Sequence, residues 1–394
     1  MRTIIKNGKV ITPLRIIDNA GVIIENGVID QIIEDNSIEV LDTDHVIDVK
    51  GQYISPGFID IHTHGAGGHD FMDGTKEAII EACKVHMKYG TTSIIPTTLT
   101  SNMDDLFRTL DYVKECKNKK GIPHIIGIHL EGPYFSLEQK GAQDPKHITE
   151  PKKEAYTQII EYSNDIVRWT IAPELPGALE MARKLIKKGI VCSIGHSNAI
   201  YEDVVRAYEN GFNLLTHFYS GMSIVKRVNS FRYAGVVESG YLIDDMYVEV
   251  IADGMHLPES LLKLIYKSKG ADKICLVTDS MRAAGCPEGE YILGNLSTGQ
   301  KVIVEDGVAK LPDRRAFAGS VATTDRLVRT MVNTAKVPLE EAVKMASLTP
   351  ARVMRIDQSK GSITPGKDAD IIVFNENIQV QLVMINGEVT INHI

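Results

Sequence analysis

Phe58-Ile59-Asp60-Ile61-His62-Thr63-His64-Gly65 is a short apolar run that ends in polar residues, and the stretch after it, 76–89, has helical spacing. The same phrase recurs along the chain. Ser93-Ile94-Ile95-Pro96, Ile125-Ile126-Gly127-Ile128, Val167-Arg168-Trp169-Thr170-Ile171, Ile190-Val191-Cys192-Ser193-Ile194, Phe212-Asn213-Leu214-Leu215-Thr216, Val248-Glu249-Val250-Ile251 and Ile274-Cys275-Leu276-Val277 complete a set of eight runs. Stretches of helical spacing lie between them, at 176–188, 201–210 and 258–268 for example, and a glycine follows several of these, as a helix C-cap requires. Eight βα units predict an α/β protein built on a (β/α)₈ TIM barrel. The rival is a doubly wound open sheet. No GxGxxG follows the first run, and the eightfold count favours closure.

Outward from this region the texture changes. Residues 1–54 carry short β-branched runs, Ile4-Ile5, Val10-Ile11, Gly21-Val22-Ile23-Ile24 and Val28-Ile29, cut by Asn7-Gly8 and Asn26-Gly27, which signal hairpins. The other end is similar, with Asp370-Ile371-Ile372-Val373-Phe374 and Gln381-Leu382-Val383-Met384-Ile385 leading to Asn386-Gly387. The expectation is a small β-sandwich domain assembled from both termini, 1–54 plus 357–394, beside a catalytic barrel over 55–356.

At 394 residues the chain can bury a large core. Its net charge of −8 argues against a nucleic-acid or anionic-membrane binder. Five cysteines, Cys83, Cys116, Cys192, Cys275 and Cys286, are an odd number without a CxxC pair, which fits free thiols in a reducing cytoplasm. The polar break at Lys6-Asn7-Gly8 comes too early for a signal peptide, and no apolar run approaches the ~18–20 residues of a membrane helix. The chain is expected to be soluble and cytoplasmic.

The ligand-type residues fall at the ends of the runs. His62 and His64 end the first, and alternation puts both imidazoles on one face. Glu131 ends the third, His196 the fifth, His217 the sixth and Asp279 the eighth. In a barrel all these ends converge on one mouth. A lone histidine or carboxylate after a strand is usually a turn or cap residue, but six metal-competent groups at five strand ends do not coincide by chance. Nitrogen and carboxylate donors without thiolate suit Zn²⁺, Fe²⁺, Mn²⁺ or Co²⁺. His129 shares the inward face of Glu131 and is expected behind it, while His256, after the seventh run, is placed to meet a substrate.

Pro56-Gly57-Phe58-Ile59-Asp60-Ile61-His62-Thr63-His64-Gly65 together with Asp368-Ala369-Asp370-Ile371-Ile372-Val373 resembles the metal-dependent amidohydrolase superfamily. Within it, His129-Leu130-Glu131-Gly132-Pro133-Tyr134-Phe135, Gly195-His196-Ser197-Asn198-Ala199, Ile251-Ala252-Asp253-Gly254-Met255-His256 and Val277-Thr278-Asp279-Ser280-Met281 resemble the N-acetylglucosamine-6-phosphate deacetylases. The resemblance implies a cytosolic homodimer acting on a small amino-sugar phosphate. It implies one metal on Glu131, His196 and His217, and a second on His62, His64 and Asp279 with Glu131 bridging. Asp279 matches the catalytic acid/base, His256 a substrate-positioning histidine, and Phe317-Ala318-Gly319 a segment of the last loop.

Three departures bear on the substrate. The family's Gly-Ala-His reads Gly141-Ala142-Gln143, which puts an amide where an imidazole contacts substrate. The phosphate-binding Asn-Ala reads Ser220-Gly221, and the phosphate arginine is best matched by Arg232, with Arg227 second. The rival reactions are deacetylation of the galactosamine epimer, a cyclic amide hydrolysis, and a deamination. The dihydropyrimidinase-like cyclic amidases bridge their metals with a carboxylated lysine on strand four, and the fourth run here has no lysine. A non-catalytic scaffold would be expected to have lost ligands, and all six are present.

Overall fold

A computed structural model describes residues 2–35, 37 and 39–394; Met1, Asn36 and Ile38, within the expected 1–54 segment, lie outside the described residues. The eight runs form eight parallel strands, β1 (Phe58–Thr63), β2 (Thr91–Thr98), β3 (Ile128–Glu131), β4 (Ile166–Ile171), β5 (Val191–Ile194), β6 (Phe212–Leu215), β7 (Tyr247–Val250) and β8 (Ile274–Leu276). Each pairs with the next in sequence order. The seam between β8 and β1 is closed by main-chain bonds just past the strand ends. Asp279 N–H donates to His62 O at 2.9 Å, and His64 N–H to Ser280 O at 2.8 Å.

The third run differs from its expected span. His124–Ile125 pairs with Ser93 and Ile94, while β3 starts only at Ile128 and pairs further along β2. Gly127 lies at this break because a Cβ there would fall 2.4 Å from Val167 Cγ1 and 2.5 Å from Asp165 O. Helices Lys76–Lys88, Ala178–Lys187, Tyr201–Glu209 and Glu259–Lys269 follow the predicted stretches closely. Gly90, Gly189, Gly211 and Gly270 stop them with positive φ.

Two cores result from the strands' alternation. The outer one packs Phe58, Ile94, Leu130, Trp169, Ile194 and Leu276 against the helices. The inner one packs Ile59, Ile61, Ile95, Val191, Leu214 and Val277 with Ala351, Val353 and Met354, in and just after the helix Leu348–Val353. Strand interiors toward the other mouth are polar.

The strands of the two ends form one eight-stranded sheet, in which Ile371–Phe374 runs antiparallel to Tyr53–Pro56. It folds over its own core, where Val22 and Ile24 meet Ile371, Val373, Leu382 and Met384. Asn26-Gly27 and Asn386-Gly387 turn tight hairpins with φ positive at both residues. Asn7-Gly8 does not, contrary to expectation. Only Asn7 is left-handed, and the pair forms a bulge inside the strand Arg2–Ile11. Gly8 is needed there because a Cβ would meet Ile54 and Val49 at 2.5 and 2.8 Å.

A three-stranded sheet, Gly289–Leu293, Gln300–Glu305 and Val308–Lys310, follows β8 and packs its own small core of Met281, Leu293, Val302, Val304 and Ala318. Residues next to it roof the barrel mouth.

Candidate metal centre

All six predicted ligand residues meet at that mouth and are nearly buried. His62 and His64 sit at the end of β1 and Glu131 is the last residue of β3. His196, His217 and Asp279 lie two to three residues beyond their strands, each in a left-handed backbone conformation, with φ of 48°, 32° and 45°. Such φ values cost about 1–3 kcal/mol each and persist only where the surroundings enforce them. The turn aims three side chains at one point.

Glu131 is at the centre. Its Oε1 lies 3.0 Å from His217 Nε2, 3.2 Å from His196 Nε2 and 3.5 Å from His62 Nε2, and its Oε2 lies 3.4 Å from His64 Nε2. Asp279 Oδ1 is 3.0 Å from His64 Nε2 and 3.4 Å from His62 Nε2. Two groups of donors therefore share Glu131: His62 with His64, and His196 with His217.

The outward side of each ring decides what the inward side can do. His64 Nδ1 faces Thr97 O at 3.3 Å, His196 Nδ1 faces Gln139 O at 2.8 Å, and His217 Nδ1 faces Ser220 O at 3.0 Å. A carbonyl only accepts, so each of these Nδ1 atoms carries its proton. His62 Nδ1 is 3.1 Å from the Glu249 carboxylate, which requires the same tautomer. In the neutral rings all four Nε2 atoms then present lone pairs to two carboxylates. His196 Nε2 and His217 Nε2 are only 3.2 Å apart, and His62 Nε2 is buried with no hydrogen-bond partner. Acceptors facing acceptors require a cation, and nitrogen and carboxylate donors in this arrangement fit a divalent one. The same carboxylates favour positive charge at this point, as a bound ion or as a proton on the ring. Burial works against protonating His62, yet Asp279, Glu249 and Glu131 pull it up to about 9. Burial likewise opposes ionisation of Asp279, but His62, His64 and His217 outweigh it and hold the carboxyl below its usual range.

His129 lies one layer deeper. Its ring nitrogens bond Thr97 Oγ1 and Thr170 Oγ1, and its ring packs edge-on against His62 at 4.8 Å, so it supports the centre from behind.

The centre opens into a cavity of about 390 Å³. Asp279, Ala142, Gln143, Ser220, Gly221, His256, Phe317 and Gly319 line it. His256 is held by Asp253, whose carboxylate accepts from its Nδ1 at 2.8 Å and from its main-chain N–H at 2.9 Å, leaving Nε2 for a ligand. Ala318 is fully buried in the roof core and does not line the cavity. Gln143 is already engaged: its amide donates to Glu131 Oε2 at 2.8 Å and accepts from Thr100 N–H at 2.9 Å. Ser220 N–H donates to His217 O. Arg227 and Arg232 face each other across the exposed ribbon Lys226–Val228/Phe231–Tyr233 and are not in the cavity lining of this chain. Gly221 closes the wall behind His196. A Cβ there would lie 2.9 Å from His196 Nδ1 at a φ of +57°. Gly221→Ala is expected to displace His196 and weaken metal binding about 10–100-fold, checked by zinc titration of the metal-free protein.

The amidohydrolase family model matches residues 53–390. The chain belongs to the amidohydrolase family. It is 35% identical over 347 residues to the N-acetylglucosamine-6-phosphate deacetylase of Lysinibacillus sphaericus, covering 87% of this chain and 86% of that one. It is 32% identical over 345 residues to the N-acetylgalactosamine-6-phosphate deacetylase of Escherichia coli O157:H7, covering 87% and 89%. The crystal structure of N-acetylglucosamine-6-phosphate deacetylase from Pasteurella multocida superposes with a TM-score of 0.91 at 29% identity over the whole of both chains. This amidohydrolase is accordingly a hydrolase of carbon–nitrogen bonds from a metal-dependent family.

The sequence reading missed two elements of the site. Arg314 and Arg315 line the cavity mouth. Arg314 is paired with Glu305 at 3.1 Å, whereas the Arg315 guanidinium makes no hydrogen bond or ion pair among the described residues. Their signal was two adjacent arginines just ahead of Phe317-Ala318-Gly319. The buried Arg168 and Glu249 were hidden within apolar runs.

Proposed function

We propose that this amidohydrolase hydrolyses the N-acetyl group of N-acetyl-D-glucosamine 6-phosphate, giving glucosamine 6-phosphate and acetate. The observation that carries the reading is Asp279, a carboxylate that both faces the metal donors and lines the cavity. Glu131, His196 and His217 would hold one ion, and His62, His64 and Asp279 a second with Glu131 between; zinc or iron(II) is favoured, with manganese and cobalt as alternatives. A divalent ion bound there supplies a Lewis acid for the acetyl carbonyl and acidifies a water. Asp279 accepts the proton of the attacking water and returns it to the departing amine, without which the C–N bond breaks very slowly. His256 Nε2, its other nitrogen donating to Asp253, is an acceptor for a sugar hydroxyl.

The phosphate reading is supported by the cation at the mouth. Arg315 lines the same cavity as Gly221 in a chain of net charge −8. A guanidinium meets a phosphate through charge-assisted, two-pronged hydrogen bonds. Arg315→Ala is expected to raise KM for the phosphorylated sugar about tenfold, one strong hydrogen bond at a solvated site, with KM for the unphosphorylated sugar unchanged. Equal kinetics on both sugars in the wild type would remove phosphate from the reading.

We place the protein in the cytoplasm as a homodimer. The five free cysteines fit a reducing compartment, and among the described residues no helix is long and apolar enough to cross a membrane. The ribbon that carries Arg227 and Arg232 exposes Val228 and Phe231, with Ile224 and Val225 beside it, the kind of apolar patch that a second copy covers. Acetate release from the glucosamine and galactosamine 6-phosphate derivatives, assayed side by side, tests the substrate and its epimer. Strand β4 offers no lysine for a cyclic amidase's bridge.

A further inference from the structure

Behind His62 lies a charged pair that the reaction above does not use. The side chains of Arg168 in β4 and Glu249 in β7 are both 0% exposed and form an ion pair across the barrel interior. Arg168 also donates to Ser193 Oγ at 3.0 Å, Thr216 Oγ1 at 2.9 Å and Ile61 O at 3.2 Å. Glu249 spends its second oxygen on the metal centre, 3.1 Å from His62 Nδ1 and 3.1 Å from His217 N–H.

A buried ion pair contributes little to stability in its own right, and an apolar pair of similar volume would fill this space as well. What the pair does is directional. His64, His196 and His217 donate their Nδ1 protons to main-chain carbonyls, whereas His62 donates to a carboxylate held by an arginine that three further hydrogen bonds fix in place. A carboxylate behind a ligand histidine fixes its tautomer and orientation and strengthens it as a donor.

We propose that Glu249, anchored by Arg168, is a positioning residue that fixes His62 with Nε2 toward the metal centre, and that occupancy of the His62–His64 metal position depends on this pair. The proposal rests on the reading of His62 as a metal ligand. His217 touches Glu249 only through its main chain and keeps its own Nδ1 partner, so the Glu131–His196–His217 position is affected far less.

The test is a Zn²⁺ titration of the metal-free full-length protein, comparing wild type with Arg168→Gln/Glu249→Gln, which removes both charges together and leaves neither unpaired. The expected result is two equivalents in each, the first within about threefold of wild type and the second weakened about 10–100-fold, with the melting temperature of the metal-free form little changed. Two equivalents at wild-type affinities in the double variant would overturn the proposal and leave the two-metal reading intact. A wild type that takes up only one equivalent would overturn both. If the double variant does not fold, Arg168→Met/Glu249→Leu, an apolar pair of similar volume, takes its place in the titration. A second equivalent weakened to the same degree supports the proposal, and one bound at wild-type affinity overturns it.

Discussion

Asp279→Asn is expected to lower turnover by at least ~10²–10⁴-fold, the usual contribution of a general acid–base group, while the melting temperature holds. The two effects separate because Asp279 serves the fold and the reaction through different atoms. Its main chain closes the barrel, with N–H donating to His62 O at 2.9 Å and C=O accepting from Ser320 N–H at 2.7 Å. Asparagine keeps both bonds. Its side chain keeps a possible ligand oxygen beside His64 but cannot cycle a proton. KM should change far less than kcat, because the proton moves only in the transition state. An aspartate with a purely structural role would give the reverse, a lowered melting temperature with near-normal turnover of the folded fraction. Melting temperature and acetate release measured on one preparation distinguish the two.

Glu131→Gln should be the most damaging substitution at the centre. Every donor of both groups lies within 3.5 Å of this carboxylate. An amide has one acceptor oxygen and no charge, so it cannot bridge two ions among four imidazole lone pairs. Metal content is expected to fall below one equivalent. Turnover should fall about 10³-fold or more, since metal-ion catalysis contributes several kcal/mol and each 1.36 kcal/mol is a factor of ten. His62→Asn is the comparison, because it leaves Glu131, His196 and His217 in place and should retain one equivalent. Elemental analysis of the two variants, purified without chelator, checks the ranking. A Glu131→Gln protein with full metal content would contradict the shared position of Glu131.

The parts of this site that were legible in the sequence are those set by strand periodicity. His62 and His64 stand two apart on a strand, so they must share a face, and a parallel barrel brings every strand's C-terminal end to one mouth whatever the loops do. Even so, His196, His217 and Asp279 are not strand residues; left-handed turns just beyond the strands aim them, and backbone strain of that kind has no composition signature. Asn26-Gly27 and Asn7-Gly8 read alike, but the neighbours decide. The first pair ends a strand, while the second sits where Val49 and Ile54 crowd Gly8 and the strand runs on. Arg168 and Glu249 were illegible because polar residues within a strand ordinarily face water, and their pairing spans 81 residues of sequence. Arg315 was overlooked for the opposite reason. An exposed arginine in a loop is ordinary until the roof sheet after β8 is seen to carry that loop over the cavity.

The proposed activity of this amidohydrolase is metal-dependent deacetylation of an amino-sugar phosphate. It is tested most directly by measuring acetate and free amine released from N-acetyl-D-glucosamine 6-phosphate by protein stripped of metal and by the same protein reloaded with zinc or iron(II). One acetate per amine is expected, with turnover only in the reloaded sample and a loss of at least ~10²–10⁴-fold in Asp279→Asn. Release that is equally fast in the stripped protein, or none from either phosphorylated epimer by a folded protein of full metal content, would contradict it.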